Sequence, residues 1–232
     1  MSPMACTLLI MAKAPVAGQA KTRLAPAFGS DGAARIAAAA LLDTLDAARS
    51  WDVAVRVVAL SGDLGLAADG RAIAQALDGF SVIPQHGATF ADRLVHAHDD
   101  AARPGHPVLQ IGMDTPQVAG DLLRTSAELL VADGVDAVLG PASDGGWWAL
   151  GVRAPATASV LAGIPMSRAD TGALTRAALE DRGCAVADLP VLTDVDTPED
   201  ARAVAATMPP ASRFRRALEA LDPAGAGPGS PV

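Results

Sequence analysis

Short apolar runs that do not alternate, each followed by a stretch with helical spacing, constrain this chain's fold more than any other feature. The runs are Leu8–Ala12, Val53–Leu60, Phe80–Pro84, Pro107–Met113 and Val135–Pro141. A strand that is apolar on both faces needs helices above and below it, which is the signature of a mainly parallel sheet. The intervening stretches supply those helices: Ser30 (a plausible N-cap) to Arg49, Asp63–Leu77, Phe90–Arg103 and Val118–Ala132. A helix near Thr171–Arg182, a strand near Ala185–Leu189 and a helix starting at Thr197 continue the rhythm. Strands and helices alternating at this spacing predict right-handed crossovers and an α/β, Rossmann-like three-layer sandwich. Trp147–Val152 breaks the pattern. Only Asp144-Gly145-Gly146 separates it closely from the preceding run, too little chain for a crossover helix, so this strand is expected to run antiparallel. The sheet is therefore mixed and mostly parallel.

With 232 residues the chain is long enough for one well-buried domain, expected over 1–208. Residues 209–232 read as a helical patch followed by a disordered Gly/Pro tail from Pro223 to Val232. No apolar stretch approaches the roughly 20 residues of a membrane helix. The apolar run near the start is short and has no cation before it, so no secretory signal is expected. Cys6 and Cys184 are too few and too far apart for a disulfide framework, which points to a cytoplasmic location. A net charge of −8 argues against nucleic acid as a partner.

Against that acidic background one loop stands out. The chain has two lysines, Lys13 and Lys21, and both lie in the loop leaving the first strand, followed by Thr22 and Arg23. A compact ammonium and a planar guanidinium beside exposed backbone N–H groups suit the phosphates of a small ligand. It is not a P-loop, because Pro15 and Ala20 stand where glycines would be needed. Other polar segments fall at strand ends, where open α/β sheets bind ligands. Asp114 ends the fourth strand, either as a turn or cap residue or as a ligand to Mg²⁺, which takes one or two protein carboxylates. Asp194 and Asp196 lie two apart and, if extended, point to the same side. Asp196 is the expected second metal ligand. Thr197-Pro198-Glu199-Asp200 is a helix start that needs no further role. Asp144 precedes Gly145 and Gly146, whose backbone permits close approach, and then Trp147 and Trp148, one of which should face the core. His96 and His98 are expected at the surface of their helix.

The motifs K-x-P-x-x-G-x-x-K-T-R-L from Lys13, G-x-D-x-P around Asp114, G-P-x-x-D-G-G ending at Gly146 and D-x-D-T-P-E-D from Asp194 together resemble the bacterial DUF2064 or glycosyltransferase-like family A. The resemblance spans Leu8 to about Val204 and implies the GT-A fold of nucleotide-sugar transferases and nucleotidyltransferases. It implies that Lys13, Lys21 and Arg23 bind nucleotide phosphates, that Asp114 holds Mg²⁺ or Mn²⁺, and that Asp144, Gly145 and Gly146 line the acceptor side. Gln85 ends the third strand where such enzymes contact the base. The turn after it departs from the family pattern (Gly87-Ala88-Thr89-Phe90), although Arg93 remains, and Met166-Ser167-Arg168 replaces an aromatic before Ser-Thr. The activity implied is glycosyl transfer from a nucleotide sugar to a small acceptor, with Asp144, Lys21 and Arg23 as catalytic residues. The alternatives are a nucleotidyltransferase, since the basic loop also resembles guanylyltransferases acting on phospholactate-type acceptors, and a nucleotide-sugar binding module without turnover. The segment from Gly140 through Gly151 contains no Lys or Arg, which suits an uncharged acceptor with a tryptophan face against it.

Overall fold

The computed structural model describes residues 3–103 and 105–222. The expected tail from Pro223 to Val232 lies outside the described residues. The described residues form seven strands, β1 (Met4–Lys13), β2 (Val53–Ser61), β3 (Ser81–Pro84), β4 (Val108–Gly112), β5 (Ala137–Pro141), β6 (Trp147–Val152) and β7 (Val186–Asp188). They make one sheet in the order β3-β2-β1-β4-β6-β5-β7. All pairings are parallel except those of β6, which runs antiparallel to both β4 and β5. The short Asp144-Gly145-Gly146 connection therefore acts as expected, turning the chain back and inserting β6 between its neighbours. Because β6 runs against the others, its first residue, Trp147, sits at the same edge as the carboxyl ends of the parallel strands.

Helices cover both faces. The first face carries α1 (Ala25–Arg49), α2 (Gly70–Ala76) and α4 (Gly120–Val131), whose Leu41, Leu45, Ile73, Leu123 and Leu130 pack on Leu8 and Ile10 of β1. The second carries α3 (Phe90–Ala101), a 3-10 segment over Pro155–Gly163 and α5 (Thr171–Asp181), which pack on Leu9 and Met11 of the same strand. Strand alternation thus divides β1 cleanly between the two layers. A third cluster joins the outer side of α1 to α6 (Pro198–Thr207) and α7 (Arg213–Leu221), with Phe214 fully buried in it. The helical patch read after Met208 is thus packed on α1.

Three local readings are corrected. Asp63–Leu77 is not one helix but a 3-10 turn over Leu64–Leu66 followed by α2. Asp63 caps the turn by accepting from the Gly65 N–H at 2.7 Å, and Asp69 then adopts a left-handed φ of 52° that interrupts the helix. α1 begins upstream of Ser30, but Gly29 (φ 72°) kinks it, so the regular helix still runs from the predicted start. The third is the placing of His98. His98 lies on the sheet-facing stripe Ala91, Leu94, Ala97, His98, Ala101, not at the surface.

Neither His98 ring nitrogen has a hydrogen-bond partner. Burial pushes its pKa down from 6.5 to about 4; the nearby Gln110 side chain opposes the shift but lies outside hydrogen-bonding geometry. The folded protein keeps this imidazole neutral while the unfolded chain protonates it, so stability falls as pH drops from about 6.5 toward 4. Urea unfolding at pH 7 and pH 4.5 should show a loss from this residue of roughly 2–3 kcal/mol, absent in His98→Gln. The same pH dependence in both proteins would contradict the assignment.

Candidate functional site

The carboxyl edge of the sheet opens into a cleft of about 820 Å³. Its walls contain Lys13, Lys21, Arg23, Gln85, Arg93, Asp114, Asp144, Gly146, Trp147, Asp194 and Asp196. Nearly every residue singled out in the sequence therefore meets in one place. The loop carrying Asp194 and Asp196 is stitched to the strand ends. Val195 N–H donates to Asp114 O at 2.9 Å, Gln117 Nε2 to Thr193 O at 2.7 Å, and Ser143 N–H to Leu192 O at 2.9 Å. Thr197 then starts α6 with a reciprocal capping box to Asp200. Those residues do the structural work expected of them, leaving Asp194 and Asp196 facing the cleft.

The centre of the site is an ion triad. Lys21 Nζ lies 2.9 Å from Asp114 Oδ2 and 2.7 Å from Asp196 Oδ1. The Lys21 side chain is 14% exposed, those of Asp114 and Asp196 34% and 38%. The two carboxylates expected to share a divalent ion are thus brought together, with an ammonium between them. Burial alone would lower the Lys21 pKa, but the two carboxylates outweigh it and hold the group above its ordinary value. Burial would likewise raise the Asp114 pKa, and Lys21 reverses that, holding the carboxyl below its usual range.

Asp194, passed over in favour of Asp196, stands beside this triad. Thr115 Oγ1 donates to its Oδ1 at 3.0 Å. Burial, then the charges of Asp114 and Asp144, push its pKa up to about 7, against the Thr115 bond and Lys21. The signal was present in the i, i+2 spacing, which puts both acids on one side of an extended segment. No group of three or more His, Cys, Asp or Glu side chains among the described residues is arranged to hold a metal. A divalent ion here would rest on two carboxylates, with its other positions left to phosphate and water, as suits Mg²⁺. The donor set fits that mode, and its surplus of negative charge is what a divalent ion would relieve.

The remaining cations differ in commitment. Lys13 Nζ donates to Gln19 O at 2.8 Å, and Arg23 is mostly exposed with one 3.4 Å contact to Asp196. The Gln85 amide donates to Ala12 O and Ala59 O, both at 2.8 Å, so its nitrogen ties the ends of β1 and β2. Arg93 sits above Phe90, 5.9 Å from the ring centroid, with a buried Nε that has no partner.

Beside the Asp194 loop, Asp144 accepts from the Gly146 N–H at 2.8 Å, closing a tight turn and leaving the carboxylate exposed. Trp147 lines the cleft with its indole N–H buried and unpartnered. Trp148, also expected there, is 1% exposed; its indole donates to Pro190 O at 2.9 Å and its ring packs under Gly140. Adjacent strand residues point to opposite faces, so only Trp147 offers a platform. The segment before α5 closes over the turn: Gly172 N–H donates to Gly145 O at 2.8 Å, and Arg168, paired with Asp170, joins the cleft lining.

A family model described as an uncharacterized protein conserved in bacteria (DUF2064) matches residues 44–168, more than half of the chain. The chain belongs to this family. The match covers Gln85, Arg93, Asp114 and the Asp144 turn. A comparison with proteins of curated function gives no significant match. Among solved structures, a protein of Desulfovibrio desulfuricans G20, provisionally described as a nucleotide-diphospho-sugar transferase, is similar over 97% of both chains, with 28% identity and a TM-score of 0.81. Rv0371c of Mycobacterium tuberculosis H37Rv, solved in complex with manganese, is 22% identical over 88% of this chain and 100% of its own, with a TM-score of 0.55. A cytidylyltransferase of Leptospira borgpetersenii is 12% identical over 99% of each chain, with a TM-score of 0.57. The α/β fold with its mixed sheet is that of the nucleotide-sugar transferases.

The turn makes a sharp prediction. Gly145 has φ +89°, and a Cβ there would lie 1.9 Å from Ala169 O. Gly134 has a similar φ of +77° but open space around it. Gly134→Ala should cost about 1–2 kcal/mol from backbone strain alone. Gly145→Ala should cost at least about twice that, because the Ala169 segment must move as well. Equal costs in urea unfolding would show that the two segments are not clamped together.

Proposed function

We propose that the protein is a metal-dependent glycosyltransferase that takes a nucleotide-activated sugar and passes the sugar to a small acceptor. The observation carrying this reading is that the basic loop, the Asp114–Asp196 pair, Asp144 and Trp147 all line one cleft. The similarity over nearly the whole chain to the D. desulfuricans protein supports it, and the manganese in Rv0371c supports a divalent ion at the acids. Lys13, Lys21 and Arg23 bind the donor phosphates, and Gln85 and Arg93 lie toward the base. An ion held by Asp114 and Asp196, Mg²⁺ or Mn²⁺, would neutralise charge on the departing nucleoside diphosphate. Lys21 and Arg23 add fixed positive charge at the same place. Asp144 orients the acceptor hydroxyl or thiol and receives its proton, with Gly145 and Gly146 allowing close approach and Trp147 packing against its apolar side.

One observation favours a second reading, nucleotidyl transfer from an NTP to a phosphorylated acceptor. The Gly140–Gly151 segment has no cation, yet Arg168 reaches the cleft lining from another segment, and Arg93 has a buried donor to spare. An anionic acceptor would find positive charge there. Glycosyl transfer ranks first because Arg168 is already paired with Asp170 and Asp144 is exposed on that wall.

The test compares two products. With Mn²⁺ and a panel of nucleotide sugars, the purified protein should release a nucleoside diphosphate, slowly even with water as acceptor, and should form no pyrophosphate from any NTP. Asp144→Asn keeps the side-chain acceptor for the Gly146 N–H, so the turn should survive. Turnover should be abolished while donor binding stays nearly intact. Pyrophosphate release with phosphorylated acceptors, and no hydrolysis of nucleotide sugars, would reverse the ranking.

A further inference from the structure

Of the three cations in the basic loop, one is spent on carboxylates in a way phosphate binding does not require. Lys13 bonds a backbone carbonyl and Arg23 is largely in solvent, whereas Lys21 is buried between Asp114 and Asp196. Its backbone is also unusual. Lys21 has φ +47°, a left-handed conformation that costs an ordinary L-residue about 1–2 kcal/mol. Leu24 N–H donates to Lys21 O, and Ala20 N–H to Val16 O, so compact turns flank the residue on both sides. The loop thus holds Lys21 in a strained position whose compensation is the pair of carboxylates.

We propose that Lys21 is a built-in stand-in for the divalent ion. Its ammonium holds the two acids together; a divalent ion bound by them would displace it, and the freed ammonium would turn to the incoming phosphates. This inference rests on the reading that Asp114 and Asp196 hold the ion. The charge count explains the arrangement. Two carboxylates and one ammonium leave the triad one charge negative, met among the described residues only by the exposed Arg23 at 3.4 Å from Asp196, whereas a divalent ion would balance both acids and release a cation for the donor. Metal and phosphate entry are thereby coupled, since each favours the same swung-out state of Lys21. Metal alone must compete with Lys21; metal arriving with phosphate gains from its release. One side chain therefore has opposite effects on two ligands, which a plain phosphate-binding lysine would not have.

The experiment measures Mn²⁺ binding by the loss of its free EPR signal, without nucleotide, for the wild type, Lys21→Met, Lys21→Gly and Asp114→Asn. Met keeps the size of the side chain, and Gly removes the left-handed strain, so the pair guards against misfolding of either variant. Both should bind Mn²⁺ about tenfold or more tightly than the wild type, the discounted worth of two charge-assisted contacts to partly exposed acids. In the presence of Mn²⁺ both should bind inorganic pyrophosphate more weakly. With only two lysines in the chain, ¹³Cε-lysine labelling adds a direct view: Mg²⁺ alone should shift the Lys21 signal and leave Lys13 in place. Unchanged or weaker Mn²⁺ binding in both Lys21 variants, with binding lost in Asp114→Asn, would overturn the stand-in role and leave the metal site intact. Wild-type Mn²⁺ affinity in Asp114→Asn, or no binding by any variant, would overturn the metal reading and this inference with it.

Discussion

The contact on which the site depends is the ammonium of Lys21 held between Asp114 and Asp196. It joins three segments far apart in the chain: the loop after β1, the end of β4 and the loop before α6. Removing one member of such a partly buried group leaves the others with uncompensated charge, which costs more than the intact group contributes. The same loops are also joined without it: Val195 N–H donates to the Asp114 carbonyl, and Thr197 caps α6 through its own box with Asp200.

The cleft is assembled by sheet topology rather than by any single motif. Parallel strands deliver their carboxyl ends to one edge, and the reversed β6 brings Trp147 and the Asp144 turn to the same edge. The acids, the basic loop, Asp144 and Trp147 thereby line one cleft. Burial first, then the charges of Asp114 and Asp144, raise Asp194 to about 7. Asp114, Asp194 and Asp196 crowd together around Lys21, with Arg23 at the margin, and that crowding of acids is the physical argument for a divalent cation here.

Much of this was legible in sequence, for identifiable reasons. Apolar runs without alternation foretold helices on both faces, and the brevity of Asp144-Gly145-Gly146 foretold the antiparallel strand. Thr197 and Asp200 announced their capping box. What escaped were features decided by tertiary contact. Asp69 breaks a helix through a φ that no periodicity reveals, and the 3-10 segment over Pro155–Gly163 has no strong pattern of its own. His98 is polar but lies in an apolar stripe. Which tryptophan faces inward depends on the register of β6. That Lys21 would seek the carboxylates rather than wait for phosphate was beyond sequence, because the three residues meet only when the strand ends do.

The central claim is that Asp114 and Asp196 form a cation site whose occupant changes when donor binds. Anomalous scattering from crystals grown with Mn²⁺ and a nucleoside diphosphate tests it most directly. The account predicts one manganese peak bonded to Asp114 and Asp196 at oxygen-coordination distance, about 2.0–2.6 Å, with Lys21 Nζ moved onto a phosphate oxygen. Bound nucleotide with Lys21 still between the two carboxylates, and no manganese coordinated by either, would contradict it.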